Sequence, residues 1–137
     1  MMLEINIEKH CDFDSLKEVV SVATNIPKIN ILSDYDYWEL DDFKNCLGLE
    51  IAHGGGDFET LLTLHENLDC NRDILALGES VAAQLNCKIA IPYSSAGFDA
   101  PSDKLLIFCP DGNKLEGFGE NSDGKFVVNS ISRSHID

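Results

Sequence analysis

Hydropathy along the chain alternates between a period of two and a period near 3.6. Residues 3–8 place Leu3, Ile5 and Ile7 against Glu4, Asn6 and Glu8, the pattern of a half-buried strand. Ser15-x-x-Glu18 has capping-box spacing and opens an amphipathic helix over 16–23. Asn25-Ile-Pro27 closes that helix, because the residue before a proline is pushed out of the α region. Residues 28–32 alternate again through Ile29 and Ile31 and predict a second strand. Over 34–40 the alternation continues, with Tyr35, Tyr37 and Glu39 on one side and Asp34, Asp36, Trp38 and Leu40 on the other. Neither side is cleanly apolar, so an edge strand or extended loop is expected there. A helical turn over 42–47, a strand over 49–52, a turn at Gly54-Gly55-Gly56 and a strand over 58–65 follow.

The strongest periodicity lies in the second half. With Asn71 or Asp73 as its cap, Ile74, Leu77, Gly78, Val81, Ala82 and Leu85 recur at i, i+3, i+4, i+7, i+8 and i+11, a wide apolar stripe made to lie on a sheet. Strands are expected at 87–92 and 105–109, then a tight turn at Pro110-Asp-Gly112-Asn. Two further strands at 115–119 and 126–129 flank a loop around Ser122-Asp-Gly124, and the polar tail 130–137 is expected to fray. Nothing repeats internally and no Pro/Gly/Ser linker divides the chain. The expected fold is one α+β domain over 1–137: an antiparallel sheet of about five to seven strands with two or three helices packed on it.

Charge then narrows the class of partner. The 137 residues carry 24 acids against 10 Lys and Arg, a net −14 and a pI near 4.4. Between Asp34 and Glu79 twelve acids face only Lys44 and Arg72, so that third supplies −10 of the total. Phosphate binding draws its affinity from Lys and Arg, which are few here and scattered singly. Nucleic acids and anionic membranes are therefore not expected as ligands, and a basic partner is. Within this third, Asp34, Asp36, Glu39, Asp41 and Asp42 interleave with Tyr35, Tyr37 and Trp38. Aromatics supply binding area at low entropic cost while carboxylates supply field and register, so the combination reads as a recognition surface, to which Asp57 and Glu59 are added.

The opening Met-Met-Leu-Glu-Ile-Asn-Ile-Glu lacks the basic and apolar regions of a signal peptide, and no apolar run approaches a membrane span. Five widely spaced cysteines, Cys11, Cys46, Cys70, Cys87 and Cys109, contain no Cys-x-x-Cys and fit free thiols in a reducing cytoplasm.

Catalytic and metal motifs fail on spacing. Gly54-Gly55-Gly56-Asp57 lacks the Gly-Lys-Ser/Thr of a phosphate loop, and Asp57 and Glu59 would repel the phosphate. His53 and His65 are separated by twelve residues with no further histidine near. His10-Cys11-Asp12 has the residue types of a triad, but adjacent strand residues point to opposite faces. Tyr93-Ser-Ser-Ala-Gly lacks a nucleophile elbow. Asp41 and Asp42 lack apolar surroundings that would raise one pKa. No catalytic residue, metal or cofactor is expected.

The layout of 74–129 carries a resemblance. A helix ending Ala-Leu-Gly-Glu-Ser-Val-Ala-Ala-Gln-Leu-Asn-Cys runs into Lys-Ile-Ala-Ile, followed by Lys-Leu-Leu-Ile-Phe-Cys-Pro-Asp-Gly and a hairpin ending Asp-Gly-Lys-Phe-Val-Val. It resembles small bacterial immunity proteins that protect a cell from polymorphic or contact-dependent growth-inhibition toxins. The resemblance implies a stoichiometric inhibitor of a cognate toxin's C-terminal catalytic domain, often a basic nuclease. It carries over no functional residues. Two other classes stand beside this expectation: a generic acidic interaction or regulatory module, marked by an unrelated basic partner, and a small enzyme, marked by a deep pocket with convergent polar groups.

Overall fold

A computed structural model describes residues 2–42, 45–66, 72–93, 104–122 and 125–133. Eight strands form one mixed sheet in the order β2-β3-β4-β1-β5-β6-β7-β8. These are β1 (Met2–Ile7), β2 (Ile31–Ser33), β3 (Leu47–His53), β4 (Thr60–Glu66), β5 (Ile89–Pro92), β6 (Lys104–Phe108), β7 (Lys114–Ser122) and β8 (Lys125–Arg133). Three helices accompany them, α1 (Phe13–Thr24), α2 (Asp34–Trp38) and α3 (Ile74–Leu85). The α+β class is as expected. The sheet has eight strands, and β2 and β3 run parallel while every other neighbouring pair is antiparallel.

α1 and α3 cover one face. Alternation along β1, β3 and β4 sends Leu3, Ile5, Ile7, Leu47, Leu49, Leu62 and Leu64 into a core with Leu16, Val20, Leu77 and Val81 from the helices. Each such aliphatic side chain, fully buried, contributes about 1.5–3 kcal/mol. Gly78 lets α3 approach the sheet: a Cβ there would lie 2.5 Å from Cζ of Phe108. A smaller cluster on the opposite face gathers Phe58, Ala90, Leu105 and Ile107, with Leu115 and Val128 packed against it.

Local chemistry explains where elements differ from the periodic pattern. α1 begins at Phe13, ahead of the capping-box position, because Asp12 accepts the Ser15 N–H at 2.8 Å and acts as N-cap. That bond also holds the Asp12 carboxyl below its ordinary pKa. Asn25, in the left-handed region at φ 61°, ends α1. Lys28–Asn30 forms a 3-10 turn, leaving only Ile31–Ser33 as strand.

The segment expected to be extended is helical. Ser33 caps α2 by accepting the Asp36 N–H at 3.2 Å, and Asp34 and Asp36 place charge at the favoured end of the helix dipole. An alternation of seven residues could not separate the two geometries, whereas a serine followed by acids favours the helix. The helical turn expected over 42–47 falls partly on Phe43 and Lys44, outside the described residues, and Leu47 already belongs to β3. β4 starts at Thr60, so Phe58 packs from the preceding loop. β8 runs to Arg133, into the stretch expected to fray, because pairing with β7 satisfies its backbone; 134–137 and the loop at 123–124 lie outside the described residues.

Candidate docking surface

The acidic and aromatic segment is carried by the crossover between two parallel strands, β2 and β3. Leu47 and Leu49 point into the helix-covered core, so Gly48 between them faces the other side of the sheet. Tyr37 fills the space above Gly48. It is buried, whereas its neighbours Tyr35 and Trp38 are 73% and 61% exposed. α2 therefore lies on the face opposite α1 and α3, hung on one aromatic anchor with two aromatics left in solvent.

Trp38 meets Tyr37 edge-on, with ring centroids 5.2 Å apart, and His65 edge-on at 5.4 Å. Tyr37 in turn lies over His65 at 6.3 Å. His65 reaches this group because β4 pairs with β3 in the register Gly48↔His65. Its Nε2 contacts Oε1 of Glu50 at 3.1 Å. Burial, followed by the charge of Glu66, raises the Tyr37 phenol above its ordinary pKa.

Register also orders the sheet surface beside Trp38. Met2 and Gly48 flank His65 in one row, and Glu4 and Glu50 flank Thr63 in the next. Met2, Glu4, Glu50 and Ala52 are exposed. No described element packs over the middle of this face. On one side α2 covers β2 and β3, and on the other Phe58 covers β5 and β6.

The carboxylates of the acidic third divide by use. Asp34, Asp36, Glu39 and Asp41 make no ion pair among the described residues, and all but the half-buried Asp34 are exposed. Asp42 is exposed at the end of the same segment. Others are spent internally. Glu66 is buried and paired with Arg72 through both its oxygens, with the Arg72 Nε donating at 3.0 Å. Glu79 pairs with Lys114, and Asp73 caps α3. Asp57 accepts the Val128 N–H at 2.7 Å, tying the glycine loop to β8. Glu59 is exposed, and its carbonyl accepts the Gly54 N–H at 2.9 Å. Asp57 and Glu59 sit beyond the far end of the β3–β4 hairpin, about 17 Å of strand from Gly48. The structure thus sets α2 (Asp34–Trp38) on one face and leaves these two apart from it.

What sequence reading missed are the groups brought in by pairing, Glu4, Glu50 and Thr63, and the place of His65, which it weighed only beside His53. The available signal was a polar side chain at alternate positions of otherwise apolar strands, without the register that aligns them.

The other constellations do not assemble. His53 and His65 occupy opposite ends of the β3–β4 hairpin. His53 instead stacks on His10 at 4.1 Å, and its Nε2 lies 2.8 Å from the Cys11 carbonyl. Cys11 is buried, and Asp12 is occupied as a cap. Ser94 and Ser95 lie outside the described residues. Among the described residues no group of three His, Cys, Asp or Glu side chains could hold a metal, and no helix is long and apolar enough to cross a membrane. No family model, curated protein or solved structure matches the chain.

Proposed function

We propose that this chain is a stoichiometric inhibitor of the immunity type, which uses its acidic and aromatic face to bind and neutralise a cognate toxin domain with a basic surface, a nuclease being the type that fits. One observation carries the reading. Trp38 and Tyr35 stand in solvent on a helix anchored by buried Tyr37, beside Asp34, Asp36, Glu39 and Asp41, which make no ion pair among the described residues. Exposed tryptophan and tyrosine are the residue types that dominate interface energetics, and the surrounding charge steers a basic partner. A nuclease must be basic where it meets phosphate, so an acidic protein can occupy that surface as a polyanion would.

Five cations among the described residues support the same reading. Lys28, Arg72, Lys104 and Lys114 pair with Glu18, Glu66, Glu116 and Glu79, and Lys9 donates to the Leu85 carbonyl at the end of α3. The field over α2 is therefore not neutralised by these cations.

The test is a titration of the toxin domain encoded beside this chain. Protection saturating at one inhibitor per toxin, with no turnover, is the expected result. Protection by sub-stoichiometric amounts, or its abolition by one histidine substitution that preserves fold and binding, would replace this reading with an enzymatic one.

A further inference from the structure

We infer that the strip of sheet beside Trp38 is a seat for an arginine side chain of the partner, held between Glu4 and Glu50 and against the indole. This deepens the proposed function and rests on it for the identity of the partner. The seat itself stands on three observations.

The first is register. Glu4 and Glu50 both pair with Thr63, from strands on either side of it, so two carboxylates flank one residue with their Cα atoms about 10 Å apart. Glu4 makes no hydrogen bond or ion pair among the described residues, and there the Glu50 carboxylate has the His65 ring as its one polar contact. The second is Thr63 itself. It is 7% exposed, it points to this face because Leu62 and Leu64 point into the core, and its hydroxyl makes no hydrogen bond among the described residues. With no protein partner among the described residues and no buried side-chain polar atom left unsatisfied, this hydroxyl reaches the surface of the strip, where it is open to a donor between the two carboxylates. The third is Trp38, which packs on His65 one row away and remains 61% exposed.

Together these favour arginine over lysine. A guanidinium is planar and stacks on an indole, while its fork of N–H donors can reach two carboxylates and a hydroxyl together. An ammonium supplies charge without the plane. The occupant is a cationic side chain because the strip is walled by carboxylates within a net charge of −14.

The sequence supplies its own probe, since Trp38 is the only tryptophan. N-acetylarginine amide is titrated into the full chain while Trp38 fluorescence and backbone amide shifts are followed, with N-acetyllysine amide and the uncharged N-acetylcitrulline amide as comparisons. Expected is a saturable response to arginine at millimolar concentration, weaker for lysine and absent for citrulline, with shifts centred on Glu4, Glu50 and Thr63. Glu4→Gln and Glu50→Gln should each weaken it several-fold, and Thr63→Val should weaken it while keeping the melting temperature. Equal responses to arginine and citrulline, shifts centred elsewhere, or an undiminished response in the Glu4→Gln/Glu50→Gln double variant would each overturn the assignment. The two readings fail separately. Arginine binding without toxin protection removes the immunity function alone, and full toxin affinity in the folded double variant removes the arginine seat alone.

Discussion

Gly48 and Tyr37 fit as a hole and a plug: a Cβ built on Gly48 would stand 2.7 Å from Cγ of Tyr37, closer than side chains tolerate. This contact sets the position of α2, and so the position of every exposed group on it. Gly48→Ala should displace the Tyr37 ring and cost about 1–3 kcal/mol by overpacking. Chemical denaturation measures the cost. Trp38 fluorescence in native conditions should also change, because Trp38 packs on the ring that moves.

Tyr37 and Trp38, adjacent in sequence, should separate cleanly in mutagenesis. Tyr37→Ala removes a buried aromatic and should lower stability by about 3–5 kcal/mol. Trp38→Ala should change stability by only about 1 kcal/mol, since the indole is mostly exposed. Its loss should instead weaken partner affinity by about 2–4 kcal/mol. Denaturation of each variant alone, beside binding of each to the toxin domain, reads both effects.

Replacing Asp34, Asp36, Asp41 and Asp42 by Asn should slow association with the partner and flatten its salt dependence, while folding stays intact. Exposed charges act over roughly a Debye length, about 10 Å at 0.1 M salt, and their effect falls on the on-rate. Stopped-flow association across a salt series checks this, and parallel slopes for variant and wild type would remove the steering role.

Alkaline pH should weaken the fold through Tyr37. Burial and the Glu66 charge raise its native pKa, so the folded state favours the neutral phenol. Its contribution is complete below the ordinary tyrosine value of 10.0 and is lost as pH rises through the native value. Tyr37→Phe should therefore unfold at higher pH than wild type, with one late step missing from the tyrosinate absorbance titration.

The thiols should react slowly. Burial pushes Cys11, Cys87 and Cys109 above the ordinary cysteine value, which leaves little thiolate at neutral pH. Native labelling with a thiol reagent should leave Cys11 and Cys87 unmodified, both being buried, and denaturation should expose them.

The sequence by itself determined the elements whose chemistry is local. The i, i+3, i+4 stripe from Ile74 to Leu85 is α3, and its cap is Asp73, one of the two residues expected. Alternation of Leu3, Ile5 and Ile7 is β1, and those three side chains enter the core. The net charge and its concentration after Asp34 were equally plain, because charge is additive and needs no fold. Tertiary structure alone decided the rest. At 34–40 the Ser33 cap is a local signal for the helix that the alternation masks, and what tertiary structure adds is the burial of Tyr37 over Gly48. The acids looked equivalent in one dimension, yet Asp57 and Glu79 are absorbed by distant partners and Glu66 is buried against Arg72, while the acids of α2 make no ion pair among the described residues. Glu4, Thr63 and Glu50 lie far apart along the chain and adjacent across it. A one-residue slip in register would turn each to the opposite face, so their meeting is fixed by strand pairing, to which no single segment of sequence holds the key.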